Sequence, residues 1–211
     1  MADDADPPRS SNYHSPLRAR QAAATRRSII DAALQLFGDR GWTATTLPAI
    51  AKEAGVSVDT IYATFGTKSS LLMDVVHVAI VGDDDDAAMA DRPDFALLGK
   101  GRRHERIRAG VRYTMQVYDR SVPILRALRE AAASDPVARE RFERYDDDRR
   151  ELVAAGTALM LGSEPTEAQV DAVWALVSPE VRTYLLEGRG WSPDAVEDWF
   201  VDMLKAALDR R

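Results

Sequence analysis

Residues 46–66 have the spacing of two short helices joined by a tight turn, and the chemistry such a pair performs is contact with a DNA groove. Ala54-Gly55-Val56-Ser57 forms the connection, with a glycine that accepts backbone other residues resist. Ile50, Ala51 and Ala54 face inward with Val56, Ile61 and Phe65, and the two small alanines let the helices approach closely. The first turn and outer face of 58–64 are then free to enter a major groove. A generic αα-hairpin fits the same grammar, so spacing alone leaves both readings open.

Nothing else in the chain has the spacing of a reactive centre. No nucleophile–base pair, metal motif or cofactor loop is visible, so the expectation is a protein that is not an enzyme and holds no cofactor. His14, His77 and His104 do not combine with acids at zinc-ligand spacing, and His77 reads as a structural residue of a helix. The Asp83–Asp86 run lacks the ordered spacing of a calcium loop. Asp146–Asp148 points around a helix in three directions and reads as solvated. Gly99-Lys100-Gly101 has too few glycines for a phosphate loop. With no cysteine there is no disulfide or thiolate chemistry.

The elements that must position the 46–66 segment read as helices throughout, and no strand pattern or internal repeat is visible. Ile29, Ile30, Ala33, Leu34 and Phe37 predict a helix over about 26–40 that Gly41 closes. Thr46 caps a helix over 47–54 with Pro48 in its first turn, Ser57 caps one over 58–65, and Thr67 caps a fourth from Lys68 to about Val81. Residues 82–95 read as a surface loop. Helices are then expected over 103–119, 121–134, 136–160, 166–187 and from Pro193 to the end, about nine in all. The last has Ser192 as cap, Pro193 at its first position and Trp191 able to staple onto Val196. The polar, proline-bearing residues 1–16 read as a disordered tail.

A chain of 211 residues holds one large or two small domains at a prior of ~100–200 residues each. The division expected is 17–66 for DNA binding and 67–211 for a helical effector-binding and dimerisation domain. Charge follows it. The net charge of −6 conceals a segment, 17–70, with seven Lys/Arg against four acids, while 71–211 has 20 against 27. A basic unit can meet phosphates while an acidic body is held away. The N-terminus lacks the apolar core of a signal peptide, and no apolar run reaches the ~18 residues of a membrane span, so the expectation is a cytoplasmic protein with no membrane partner.

The stretch Thr25–Leu72 resembles the DNA-binding domain of the TetR family. The resemblance is carried in order by Ile29, Ala32-Ala33, Leu36-Phe37, Arg40-Gly41, Thr45-Thr46, Ile50-Ala51, Ala54-Gly55-Val56-Ser57, Thr60-Ile61-Tyr62, Phe65, Lys68 and Leu71-Leu72. Trp174-Ala175-Leu176 with Ser178-Pro179-Glu180, and Arg189-Gly190-Trp191-Ser192-Pro193, are similar to a C-terminal pattern of actinobacterial members. The resemblance implies a bacterial, all-α, homodimeric transcription regulator, commonly a repressor. It places double-stranded DNA against Arg26, Thr45, Thr46, Ser57, Val58, Asp59, Thr60, Tyr62, Ala63 and Lys68. Thr46, Thr60, Tyr62 and Lys68 meet the backbone, and Ser57, Val58, Asp59 and Ala63 face base edges. Arg18, Arg20, Arg26 and Arg27 read either as an arm entering a minor groove or as a soluble basic tail. Asp59 stands where the family often has glycine, and it either accepts from a cytosine amino group or stabilises a helix N-terminus. Pro48 and Ala49 replace a commoner polar pair.

The resemblance further implies a symmetric four-helix dimer interface, for which Val177, Val181, Tyr184, Val196, Trp199, Phe200, Met203 and Leu204 are the candidates. The competing reading puts these residues in a monomer core. It also implies an unknown small-molecule effector, with Tyr113, Met115, Tyr118, Leu125, Phe142, Tyr145, Arg149 and Trp174 as pocket candidates, although an aromatic stripe is more often core. Arg149 could meet an anionic ligand or Asp146; a snorkelling arginine is the commoner case. Three rival functions remain: an enzyme, for which no reactive centre is visible, an effector-independent architectural DNA-binding protein, and a helical protein-interaction module.

Overall fold

The computed structural model describes residues 16–83 and 88–209, and every regular element among them is helical. Helix α1 (Pro16–Ala44) starts well before Thr25, because Ala, Arg and Gln between 18 and 24 favour helix without an apolar stripe to announce it. Gly41 breaks its regularity at φ 75°. A side chain there would also place Cβ 2.7 Å from Glu130 Oε2. The expected disordered tail lies outside the described residues, apart from Pro16, which opens α1.

Helices α2 (Leu47–Ala54), α3 (Val58–Phe65) and α4 (Lys68–Val81) fall where capping places them. Thr46 Oγ1, Ser57 Oγ and Thr67 Oγ1 accept from Ala49, Thr60 and Ser70 N–H respectively. Gly55 ends α2 in the left-handed region at φ 69°.

The connection after α4 is more ordered than the expected loop. Met89–Asp91 and Leu97–Gly99 form 3-10 turns around the short α5 (Pro93–Ala96), with Phe95 and Leu98 buried. The segments 103–119 and 121–134 are one helix, α6 (Arg103–Ser134), with Pro123 inside it. Tertiary packing overrides the proline, since α6 is the central strut against which α1, α4, α7 and α10 all pack.

Helix α7 (Pro136–Leu161) begins at the Asp135 cap, whose carboxylate accepts from Val137 and Ala138 N–H. The expected helix over 166–187 is divided. Helix α8 (Glu167–Leu176) stops before Ser178-Pro179, because a residue preceding proline avoids helical backbone and Ser178 caps α9 (Pro179–Thr183). A π-turn, Tyr184–Gly188, follows. Helix α10 (Pro193–Leu208) is capped by Ser192 as its sequence indicates, but Trp191 meets the edge of Trp199 while Val196 is buried.

Two cores result. The first joins α1–α4 to α6 and α7 through Phe37, Ile61, Leu71, Ile124, Leu128 and Ala138. The second joins α6, α7, α8 and α10 around Ile107, Met160, Phe200 and Leu204. Helix α4 therefore belongs to the same packed unit as both the short helices and the body. Among the described residues, no helix is long and apolar enough to cross a membrane.

Candidate functional site

Ile61 and Phe65 anchor α3 in the first core, and this fixes which of its faces is outside. Tyr62 is 53% exposed, and Asp59, Ala63 and Thr64 are exposed beside it. Val58 and Thr60 are half-buried. Ser57 Oγ caps Thr60 N–H at 3.1 Å and lies 2.8 Å from Thr60 Oγ1, so these hydroxyls hold the leading turn of α3 rigid while remaining at its surface. Thr46 is exposed at the start of α2. Two helix N-termini thus present exposed hydroxyls and partial positive charge, features suited to phosphate oxygens.

Three of the expected DNA contacts are placed differently. Thr45 is fully buried, its Oγ1 donating to the Leu36 and Gly41 carbonyls at 2.9 and 2.7 Å, so its hydroxyl holds the end of α1. Arg26 is inside α1, paired with Asp74 at 3.1 Å and lying 4.8 Å over the Phe65 ring. Arg18, Arg20 and Arg27 also lie on α1, so none of the four arginines belongs to a free arm. Lys68 is half-buried. Its Nζ donates to the Trp42 carbonyl at 2.6 Å and sits 3.8 Å over that residue's ring. Burial pushes this ammonium below the usual lysine range, with Glu130 opposing.

The junction of α1, α4 and α6 has no local signature in the sequence. The Glu130 carboxylate accepts from Trp42 N–H at 2.7 Å and Thr43 N–H at 3.2 Å. Its hydrogen bonds with Thr43 hold it below the ordinary glutamate value, with the Trp42 amide adding to the effect. Ser69 Oγ donates to the Asp135 carboxylate, which that bond, with the Ala138 amide behind it, likewise holds below the aspartate range. At the far end of α4, Arg120 donates to the Ala79 and Ile80 carbonyls at 3.0 and 2.7 Å. These partners are separated by 40 residues or more, and no short motif announces them. Only Asp135-Pro136 carried a local signal, as a helix start.

Between α4 and α5–α8 lies a cavity of about 660 Å³. Four of the pocket candidates, Tyr113, Tyr118, Tyr145 and Arg149, line it, with Phe95 and Leu152. Leu125 and Phe142 line a neighbouring cavity of about 510 Å³ on the other side of Tyr145 and Arg149. Met115 lines a smaller one, about 310 Å³, against α10. Trp174 lines none of these three; its ring covers the Arg149 guanidinium at 4.4 Å. The eight candidates therefore do not share one pocket. Tyr118 Oη donates to the Val177 carbonyl, and burial pushes its hydroxyl pKa up to about 12, so it stays neutral. Burial also raises Tyr145. His77 is exposed at this cavity's lining rather than in the interior.

Four of the expected dimer residues, Val177, Val196, Phe200 and Leu204, are buried within their own chain. Helix α10 turns that face to α6 because its other side is the more polar one. Val181, Trp199 and Met203 remain partly exposed, and Tyr184 is 54% exposed. No cluster of three His, Cys, Asp or Glu residues able to hold a metal occurs among the described residues.

Residues 29–75 match the family model described as bacterial regulatory proteins, tetR family. The chain is 38% identical over 65 residues to the HTH-type transcriptional regulator BetI of Rhizobium meliloti, a match covering 31% of this chain and 32% of that protein. The chain thus aligns with about a third of this curated relative's length. A crystal structure of a TetR-family transcriptional regulator from Mesorhizobium loti superposes with a TM-score of 0.66 at 19% identity, covering 89% of this chain and 96% of that one. The multidrug binding protein EbrR, complexed with imidazole, superposes at 0.58 and 17% identity over 98% and 99% of the two chains. Both structural likenesses concern the fold.

Proposed function

We propose that this chain, which matches the tetR family model over residues 29–75, is a ligand-responsive, DNA-binding transcriptional regulator of that family, acting as a repressor. Residues 17–66 are its reading head and 67–211 its effector and dimer portion. It binds a partial palindrome as a homodimer, two α3 helices entering major grooves about 34 Å apart, or a multiple of that. A small molecule in the helical portion releases it.

The observation that carries this reading is the exposure of Tyr62 on a helix whose opposite face, Ile61 and Phe65, is locked into the core that α4 shares. Thr46, Thr60 and Tyr62 contact the backbone, and Ser57, Val58, Asp59 and Ala63 face bases. Val181, Tyr184, Trp199 and Met203 form the part of the dimer interface contributed by these helices. The enzyme reading has no support in the relatives, which are regulators.

Coupling follows from connectivity. Helix α4 is tied at its start to Trp42 and Asp135 and at its end to Arg120, and His77, Ile80 and Val81 of the same helix line the larger cavity. A ligand that prefers one position of α4 shifts the spacing of the two heads by its differential affinity. The test is selection of bound sites from random DNA, followed by anisotropy titration at two salt concentrations with and without a small-molecule panel. Recovery of an inverted repeat whose binding weakens with salt is expected. Equal affinity for random DNA would sink the specific-regulator reading in favour of an architectural role.

A further inference from the structure

We propose that the ligand of the larger cavity is an apolar monocarboxylate whose head group is held by Arg149; this rests on the effector reading above. The Arg149 side chain is only 10% exposed and forms part of the wall between the two larger cavities. A guanidinium has five N–H donors. Here Nη1 donates to the Trp174 carbonyl at 3.2 Å, and the guanidinium also hydrogen-bonds the Tyr118 hydroxyl. One face of the group is covered by the Trp174 ring. The nearest carboxylate, Asp146, lies 3.6 Å from Nε, beyond hydrogen-bond length, and its side chain is 49% exposed. Glu180, also on the second cavity, is committed to Arg129.

A guanidinium this little exposed, with no carboxylate within hydrogen-bond length, is costly on its own. A planar carboxylate satisfies it with two parallel hydrogen bonds that no neutral group supplies as well. The rest of the cavity calls for an apolar body, since Phe95, Leu98, Val117, Leu152 and Met160 line it. Its volume falls in the range of about 300–1,000 Å³ usual for small-molecule sites. Two acids, Asp148 and Glu151, also belong to the lining, and they alone would favour a lipophilic cation. Both are exposed, where water and salt weaken their field, whereas Arg149 is buried. The single buried positive charge among these acids favours one negative charge on the ligand rather than two.

The probes are decanoate, decanol and decyltrimethylammonium, each below its micellar concentration. They are titrated into the 211-residue chain by calorimetry and by the fluorescence of the tryptophans, of which Trp174 stacks on Arg149. Decanoate is expected to bind roughly ten- to a hundredfold more tightly than decanol, the worth of a charged hydrogen bond. Arg149→Met is expected to erase that preference while decanol binding persists. Should that variant fold poorly, Arg149→Lys, which keeps the charge without the fork, is expected to retain only part of it.

Equal binding of decanoate and decanol, tightest binding of the ammonium, or an unchanged preference in the variants would overturn the carboxylate assignment. If the ammonium binds and releases operator DNA, the effector reading survives that loss. If decanoate binds through Arg149 and DNA affinity does not change, the carboxylate site stands and the effector reading falls. Binding of none of the three overturns the assignment.

Discussion

Lys68 reaches across from the start of α4 to Trp42, donating to its carbonyl at 2.6 Å while its ammonium rests 3.8 Å over the indole. The same Trp42 gives its amide N–H to Glu130 of α6. One tryptophan after the Gly41 break therefore ties the end of α1 to α4 and α6 together. Lys68→Ala should cost about 1–2 kcal/mol of stability, from one hydrogen bond and one cation–π contact. Urea melts should show this without any DNA present. A variant as stable as the parent would mean that the lysine is a solvated charge.

Glu130 carries a pH signature. Its hydrogen bonds hold its folded-state pKa below the ordinary 4.5, so the unfolded chain binds more protons in that interval. Its stabilising contribution is complete above 4.5 and declines as pH falls from there through the lower folded-state value. Glu130→Gln should flatten the acid limb of a plot of melting temperature against pH. Asp135 contributes in the same direction, so the limb should shrink rather than vanish. An unaltered limb would show that the Glu130 carboxylate is not held as described.

Thr45 is a purely structural hydroxyl between two carbonyls. Thr45→Val keeps the shape and removes the one hydroxyl hydrogen shared by the two carbonyls, so a loss of about 1–3 kcal/mol is expected in denaturant melts. DNA affinity per folded molecule should be unchanged. If instead affinity falls with stability intact, Thr45 touches DNA after all.

Tyr62 gives the opposite pattern. Its exposure predicts a stability change within about 0.5 kcal/mol for Tyr62→Ala. Affinity should drop about fivefold or more on every DNA sequence, the worth of roughly one hydrogen bond to a phosphate. Anisotropy titrations on selected and scrambled DNA would measure it, and a loss confined to one sequence would make Tyr62 a base reader.

Asp59 stands exposed in the first turn of α3. If it accepts from a cytosine amino group, Asp59→Ala should relax preference at one base pair per half-site by about 1–3 kcal/mol. Repeating the site selection with the variant decides this. A uniform gain in affinity for all sequences would mean that the carboxylate only repels phosphates.

Local chemistry made the reading head legible. Thr46, Ser57, Thr67 and Ser192 are caps, and Gly55 is a left-handed terminus, each in the sequence position its residue type implies. Alternating anchors such as Ile61 and Phe65 likewise determined which face of α3 is outside, because a helix of eight residues has only one way to bury two such side chains. The all-helical class follows from the same periodicity.

What tertiary structure alone decided is where long-range partners meet. An aromatic stripe does not say whether it faces a cavity, its own core or a second chain. Thus Phe200 and Leu204 went to the monomer interior, and the pocket candidates divided among three cavities. Pro123 continued within α6 because packing on four helices outweighs one missing hydrogen bond. Arg26, Thr45 and Lys68 found partners far along the chain or inside the packed head, since a polar side chain's choice between solvent, backbone and ligand is settled by what the fold brings beside it.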